Sequence, residues 1–205
     1  MKNSSSSPPP LEKGDLGGFA VAKSLLHLPF SKGGMSRNVI LILSLSSSVL
    51  YARPEVYFSP GGVQSHLVSA IDRTTRSLDV AIYELSSKAL INALKRAAQR
   101  GVQVRLIMDE QVLREHPEDR DLAGVVHISI RTLEGREKRR GVMHNKFAVF
   151  DESRVVTGSY NWSQGAEYAN YENALFEDDL NVVRSYSAQF ADLWSRARPV
   201  QSWHR

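Results

Sequence analysis

The segment SLDVAIYELSSKALINALKRAAQRGVQVRLIMDE, residues 77–110, decides the fold. Ser77–Tyr83 reads as a strand. Ser86 or Ser87 then supplies a hydroxyl to cap a helix running through Gln99, with Ala89, Leu90, Ala93, Leu94 and Ala97 on one apolar stripe and Gly101 as its stop. Val102–Met108 is a second strand, in which Val102, Val104, Leu106 and Met108 alternate with Gln103, Arg105 and Ile107.

The same rhythm continues in both directions. Upstream, Val56–Phe58 reads as a short strand, Ser59-Pro60-Gly61-Gly62 as a turn, and Val63–Thr75 as a helix with Val63, Leu67, Ala70 and Ile71 on one face. Downstream come a polar helical connection over Val112–Ala123 and a strand over Val125–Ile130. Two strands, Met143–Phe150 and Arg154–Thr157, then flank a turn at Asp151-Glu152-Ser153. Glu172–Phe176 closes the strand set, and Leu180–Arg196 forms a last helix with Val183, Phe190, Leu193 and Trp194 facing inward. This alternation implies an α/β fold: a mixed, largely parallel central β-sheet flanked by helices.

Residues 53–205 fit one domain with a substantial core. Residues 1–34 do not. Ser4–Ser7, Pro8–Pro10 and the glycine pairs give them too little apolar surface to fold, so they read as a disordered or mis-assigned extension. Met35 opens a different pattern: Arg37, an apolar run from Val39 to Leu50, and Ala52. A positive start, a short apolar stretch and a small final residue predict a signal peptide over 35–52. Translation would then begin at Met35, and the product would be periplasmic or secreted from a bacterium. The alternative is a disordered tail ending in a short membrane-associated helix.

The chain has no cysteine, which excludes disulfides and Cys-ligated zinc. Its net charge of +4 is uneven: residues 1–52 hold five basic and two acidic residues, leaving the rest near neutral, so the charge is no argument for nucleic acid.

The chemistry concentrates in HNKFAVFDESRVVTGSYN, residues 144–161. His144, Lys146 and Asp151 stand at spacing H-x-K-x4-D, followed by Gly158, Ser159 and Asn161. In a strand, residues two apart share a face, so the imidazole of His144 and the ammonium of Lys146 point the same way. An imidazole beside a fixed cation suits phosphoryl chemistry: one group attacks or protonates while the other balances charge on phosphate oxygens. His and Lys alone would fit a surface strand equally well; the complete six-residue pattern favours chemistry.

This pattern resembles the phospholipase D superfamily, and above all its small bacterial endonucleases with one motif per chain. VYFSPGG (56–62), residues 77–110 and NYENALFEDD (170–179) share the likeness, which runs from about Glu55 to Trp194. The resemblance implies that His144 attacks phosphorus to form a phosphohistidine or acts as general acid. Lys146 and Asn161 would hold the non-bridging oxygens in place of a divalent metal, so no cofactor and no metal ligands are expected. Ser159 is either a phosphate donor or a turn residue. Asp151 belongs to the motif, with a structural role as the alternative. Glu172 would fix the second nitrogen of His144, or else is an exposed strand residue.

No other histidine after residue 52 is followed two positions on by lysine. The second motif that a two-step displacement wants must therefore come from a second copy, which implies a homodimer sharing one active site. The basic segment RTLEGREKRR, with Arg136, Lys138, Arg139 and Arg140, would rim the groove and track a phosphate backbone, or form a solvated loop. The expected partner is nucleic acid, with phospholipid as the alternative substrate of the same chemistry.

Overall fold

The computed structural model describes residues 53–115 and 122–200, without the side chains of Lys138 and Arg139. The extension over 1–34, the signal-peptide reading over 35–52 and part of the connection over Val112–Ala123 lie outside the described residues.

The elements follow in the order β1 (Glu55–Ser59), α1 (Val63–Arg73), β2 (Ser77–Ile82), α2 (Lys88–Gln99), β3 (Gln103–Asp109), α3 (Glu110–Glu115) and β4 (Ile128–Gly135). Then come β5 (Lys138–Val142), β6 (Lys146–Phe150), β7 (Arg154–Gly158), α4 (Gln164–Tyr168), β8 (Glu172–Glu177), α5 (Leu180–Arg196) and β9 (Arg198–Pro199). One sheet orders the strands β1-β8-β7-β6-β2-β3-β4-β5, with β9 beside β4. The mixed α/β class holds. Its parallel part is confined to β2–β3 and β3–β4; the other pairs are antiparallel. The reason is local. A parallel pair needs a long crossover. Residues 77–110 supply one as α2, whereas the motif half joins β6 to β7 through the tight turn at 151–153.

Helices α1 and α2 cover one face of the sheet, where Leu67, Ile71, Leu90 and Leu94 pack on Leu78, Val80, Leu106 and Phe150. Helix α5 covers the other with Val183 and Phe190 against Ala81, Ile107, Phe147 and Val149; Leu193 and Trp194 pack beside them half-buried. Strand β3 is therefore buried on both faces over Leu106, Ile107 and Met108, which is why Ile107 breaks the expected alternation. Ser87, not Ser86, caps α2, its Oγ accepting from the N–H of Leu90 at 3.4 Å. Ala89 faces solvent, while Ile91 and Ala98 join the buried stripe.

Two boundaries move. Strand β4 begins at Ile128 rather than Val125, because Gly124 (φ 84°) and His127 (φ 68°) bend the chain through a left-handed turn first. The basic segment over 131–140 is a β-hairpin, not a loop: β4 runs on through Gly135 and β5 returns from Lys138.

Candidate active site

The register of the sheet sets the site. Phe147 lies opposite Thr157 and Ala81; Thr157 lies opposite Leu175, and Ala81 beside Ile107. Three residues further toward the same edge, these strands bring His144, Tyr160, Glu172, Glu84 and Glu110 level with one another. The motif thus sits on one edge of the sheet, at the end of β2 and the start of β6.

His144 precedes β6 rather than lying in it, so strand periodicity alone does not align it with Lys146. Tyr83, just past the end of β2, does. Its ring lies 4.6 Å from the His144 ring at an interplanar angle of 62°, and the Lys146 Nζ stands 5.1 Å from its centre. Lys146 Nζ also donates to the His144 carbonyl at 3.0 Å. Burial lowers the imidazole's pKa below 6.5; the charge of Lys146 adds to this and Asp109 opposes it. Burial also lowers the ammonium below 10.5, against the pull of Glu172 and Glu84.

Asp109 supports the segment from below. Buried at the end of β3, it caps α3 through the N–H groups of Gln111 (3.0 Å) and Val112 (3.2 Å), and its other oxygen accepts from Met143 N at 2.9 Å. One carboxylate thereby fixes the residue before His144.

The G-S-x-N turn is pinned on both sides of Asn161. The N–H groups of Ser159 and Tyr160 both donate to the Asn173 carbonyl, Trp162 N donates to the Glu84 carbonyl, and Ser86 and Ser87 N–H groups donate to the Trp162 carbonyl. Tyr160 and Trp162 are core residues. Tyr160 Oη donates to buried Glu167 at 2.9 Å, and Glu167 also accepts from Gly62 N and Gln64 N, tying the turn to the start of α1. Burial, then this hydrogen bond, raises the phenol's pKa. Between these anchors the Asn161 Oδ1 is buried with no hydrogen-bond partner among the described residues. An orphaned amide at a reactive edge is a group held for something else to bind.

Three expectations change. Asp151 sits at the opposite end of β6, about 15 Å from its start. Its carboxylate accepts from Arg76 N (2.7 Å), Ser77 N (3.0 Å), Thr75 N (3.0 Å) and Thr75 Oγ1 (3.0 Å), the work of a scaffold residue rather than a catalytic one. Glu172 does not reach His144 within the chain, because β8 stands two strand positions from β6, about 10 Å. Its oxygens take Ser159 Oγ at 2.5 Å and Asn170 Nδ2 at 3.1 Å. Ser159 spends its proton on Glu172 and accepts from Asn173, so it is a bridge and not a free donor to phosphate.

Of the basic segment, Arg136 and Arg140 are exposed. Arg140 lines an open cavity of about 830 Å³ with Asp109, Glu110, Arg114 and Glu134, beside the motif. Among the described residues no group of three His, Asp or Glu side chains is placed to hold a metal ion.

The sequence pattern of the family described as "Cardiolipin synthase, PLD-like domain" matches residues 67–194. The chain belongs to the phospholipase D superfamily. The mitochondrial cardiolipin hydrolase of Xenopus tropicalis is 33% identical over 136 residues, 66% of this chain and 63% of that protein. A phospholipase D of Rickettsia felis is 29% identical over 141 residues, 68% of each chain. The match thus spans less than two thirds of the Xenopus relative. Among solved structures, the phospholipase D family member Nuc from Salmonella typhimurium superposes with a TM-score of 0.67 and 27% identity, covering 73% of this chain and 99% of that one. The superfamily placement agrees with the site: the motif residues that the likeness singles out, Asp151 apart, gather at one sheet edge.

Sequence reasoning missed Tyr83, Asp109 and Glu167. Asp109 carried a signal, an acidic residue ending a strand just before a helix. Tyr83 carried none, because its contact with His144 depends on the antiparallel pairing of β2 with β6.

Proposed function

We propose that this chain is a metal-independent phosphodiesterase that cleaves nucleic acid as a nonspecific endonuclease, with His144 as nucleophile. The observation that carries the reading is the meeting of the His144 ring and the Lys146 ammonium against Tyr83. A lowered imidazole pKa keeps the ring neutral near pH 7, and a neutral nitrogen has the lone pair that attacks phosphorus. The P–O bond to the leaving group breaks as the N–P bond forms, a second imidazole protonates the leaving oxygen, and water then releases the phosphoryl group. Lys146 and the Asn161 amide offset the charge gathering on the non-bridging oxygens. His144 cannot be its own proton donor, so a homodimer presenting two copies to one phosphate completes the site.

A second reading, phospholipase D acting on a lipid head-group ester, draws on the names of the relatives from Rickettsia felis and Xenopus tropicalis. The test sets wild type against His144→Asn on plasmid DNA, RNA and phospholipid vesicles, all with chelator. Cleavage of nucleic acid is expected, falling by about 1,000-fold or more in the variant. Head-group release without nicking would move the assignment to lipid, and activity surviving the substitution would remove His144 from the mechanism.

A further inference from the structure

Most aromatic side chains near the motif are already engaged: Tyr83 under His144, Tyr160 on Glu167, and Tyr57 stacked on His66. Tyr171 is not. It is 94% exposed, with no ring contact or hydrogen bond among the described residues, although it immediately precedes Glu172 at the active edge. Phe58, 67% exposed, lies opposite Asn173 in the β1–β8 register, so the two rings share one corner of the sheet.

We propose that Tyr171, with Phe58 beside it, is a stacking platform for an unpaired nucleobase flanking the scissile phosphate, and that the substrate is therefore single-stranded nucleic acid. The inference rests on the nucleic-acid reading above. The platform stands about 10 Å from the His144 position across two strand spacings. On the opposite flank, β4 and the exposed Arg136 and Arg140 lie about 15 Å away across three. A strand crossing this edge meets rings at one end, the reactive imidazole in the middle and guanidinium groups at the other. Bases inside a duplex have both faces covered by their neighbours, so only a splayed base can lie on Tyr171. A bilayer is the competing occupant of exposed aromatic groups. However, Glu84, Glu110, Glu134 and Glu172 stand along the same row, and a flat anionic surface would press on all of them. A single flexible strand need not.

The test measures binding in a His144→Asn background, where substrate is not consumed, by anisotropy of a labelled single-stranded oligonucleotide. Adding Tyr171→Ala should weaken binding about 10-fold, while Tyr171→Phe, which keeps the ring, stays within about twofold. An abasic oligonucleotide of equal length should bind all three proteins alike, and a duplex should show no dependence on Tyr171. Equal affinities of the Ala and Phe variants for the single strand would overturn the proposal. So would a Tyr171→Ala defect confined to vesicles of anionic phospholipid. Failure of the phosphodiesterase reading shows separately, as a lack of hydrolysis of bis(4-nitrophenyl) phosphate by protein with His144 intact.

Discussion

Lys146 touches His144 through its backbone carbonyl and acts on its ring through charge. Both effects set the pH range of the reaction. The nucleophile is the neutral imidazole, so activity should rise as pH climbs through a value below the ordinary 6.5. The ammonium must stay protonated, so activity should fall again on the alkaline side at a value below 10.5. NMR titration of His144 checks the first limb, and a midpoint at or above 6.5 would contradict it. Lys146→Met should raise that midpoint only in part, since burial is the larger cause. Asp151 behaves differently. Burial alone would raise its carboxyl, but the hydrogen bonds from Ser77, Thr75 and Arg76 outweigh burial and hold it below 3.8. A depressed carboxyl stabilises the fold above its unfolded value and loses that effect as pH falls through the folded one. Asp151→Asn should therefore cost about 2 kcal/mol at pH 7, with the gap to wild type closing in acid and kcat unchanged. Denaturant melts at both pH values, read beside the assay, decide whether the residue is scaffold.

At the level of elements, the site depends on how closely β7 approaches β8. Gly158 ends β7, and a Cβ placed there would fall onto the Asn173 carbonyl oxygen. That oxygen receives the N–H groups of both Ser159 and Tyr160. Gly158→Ala should push the strands apart, lower stability by about 1–3 kcal/mol and reduce kcat through the displaced turn. A variant with wild-type melting and turnover would show that the approach carries no weight. Single-strand patterns were legible in the sequence because local rules write them. Val63, Leu67, Ala70 and Ile71 form the buried face of α1 as the spacing predicts, and α5 spans Leu180–Arg196 as read. Pairings between strands were not legible. Nothing in Met143–Phe150 says that β6 runs antiparallel to β2, so neither the contact of Tyr83 with His144 nor the distance from Glu172 to His144 followed from spacing. The basic segment misled for a related reason: its charge suggested a loop, while Thr132, buried in β4, and the return strand β5 make it a hairpin. The candidate residues were legible as a set because the motif is contiguous. Their division into reactive, bridging and scaffold groups required the sheet.

The whole molecule leaves His144 exposed at the sheet edge, between two recesses that it does not line. One holds Lys146, Gly158 and Asn173, the other Asp109 and Arg140. A covalent phosphohistidine formed on such an open surface has no fixed acid for the leaving group, and the only His-x-Lys in residues 53–205 is already used. A twofold axis passing beside His144 supplies the missing imidazole and walls the site with the second copy. Sedimentation should then give twice the mass of the folded chain. A sharper result comes from mixing. Wild type and His144→Asn, unfolded together in equal amounts and refolded, should distribute so that about one quarter of the dimers carry two intact histidines. If each site needs both, activity falls to about one quarter of the same total of wild type; if each chain works alone, it stays near one half. Varying the ratio extends the contrast, because a shared site makes activity follow the square of the wild-type fraction and an independent one makes it linear. A straight line through that series, from protein shown to be dimeric, would place the proton donor within the chain and leave the second copy without a chemical role.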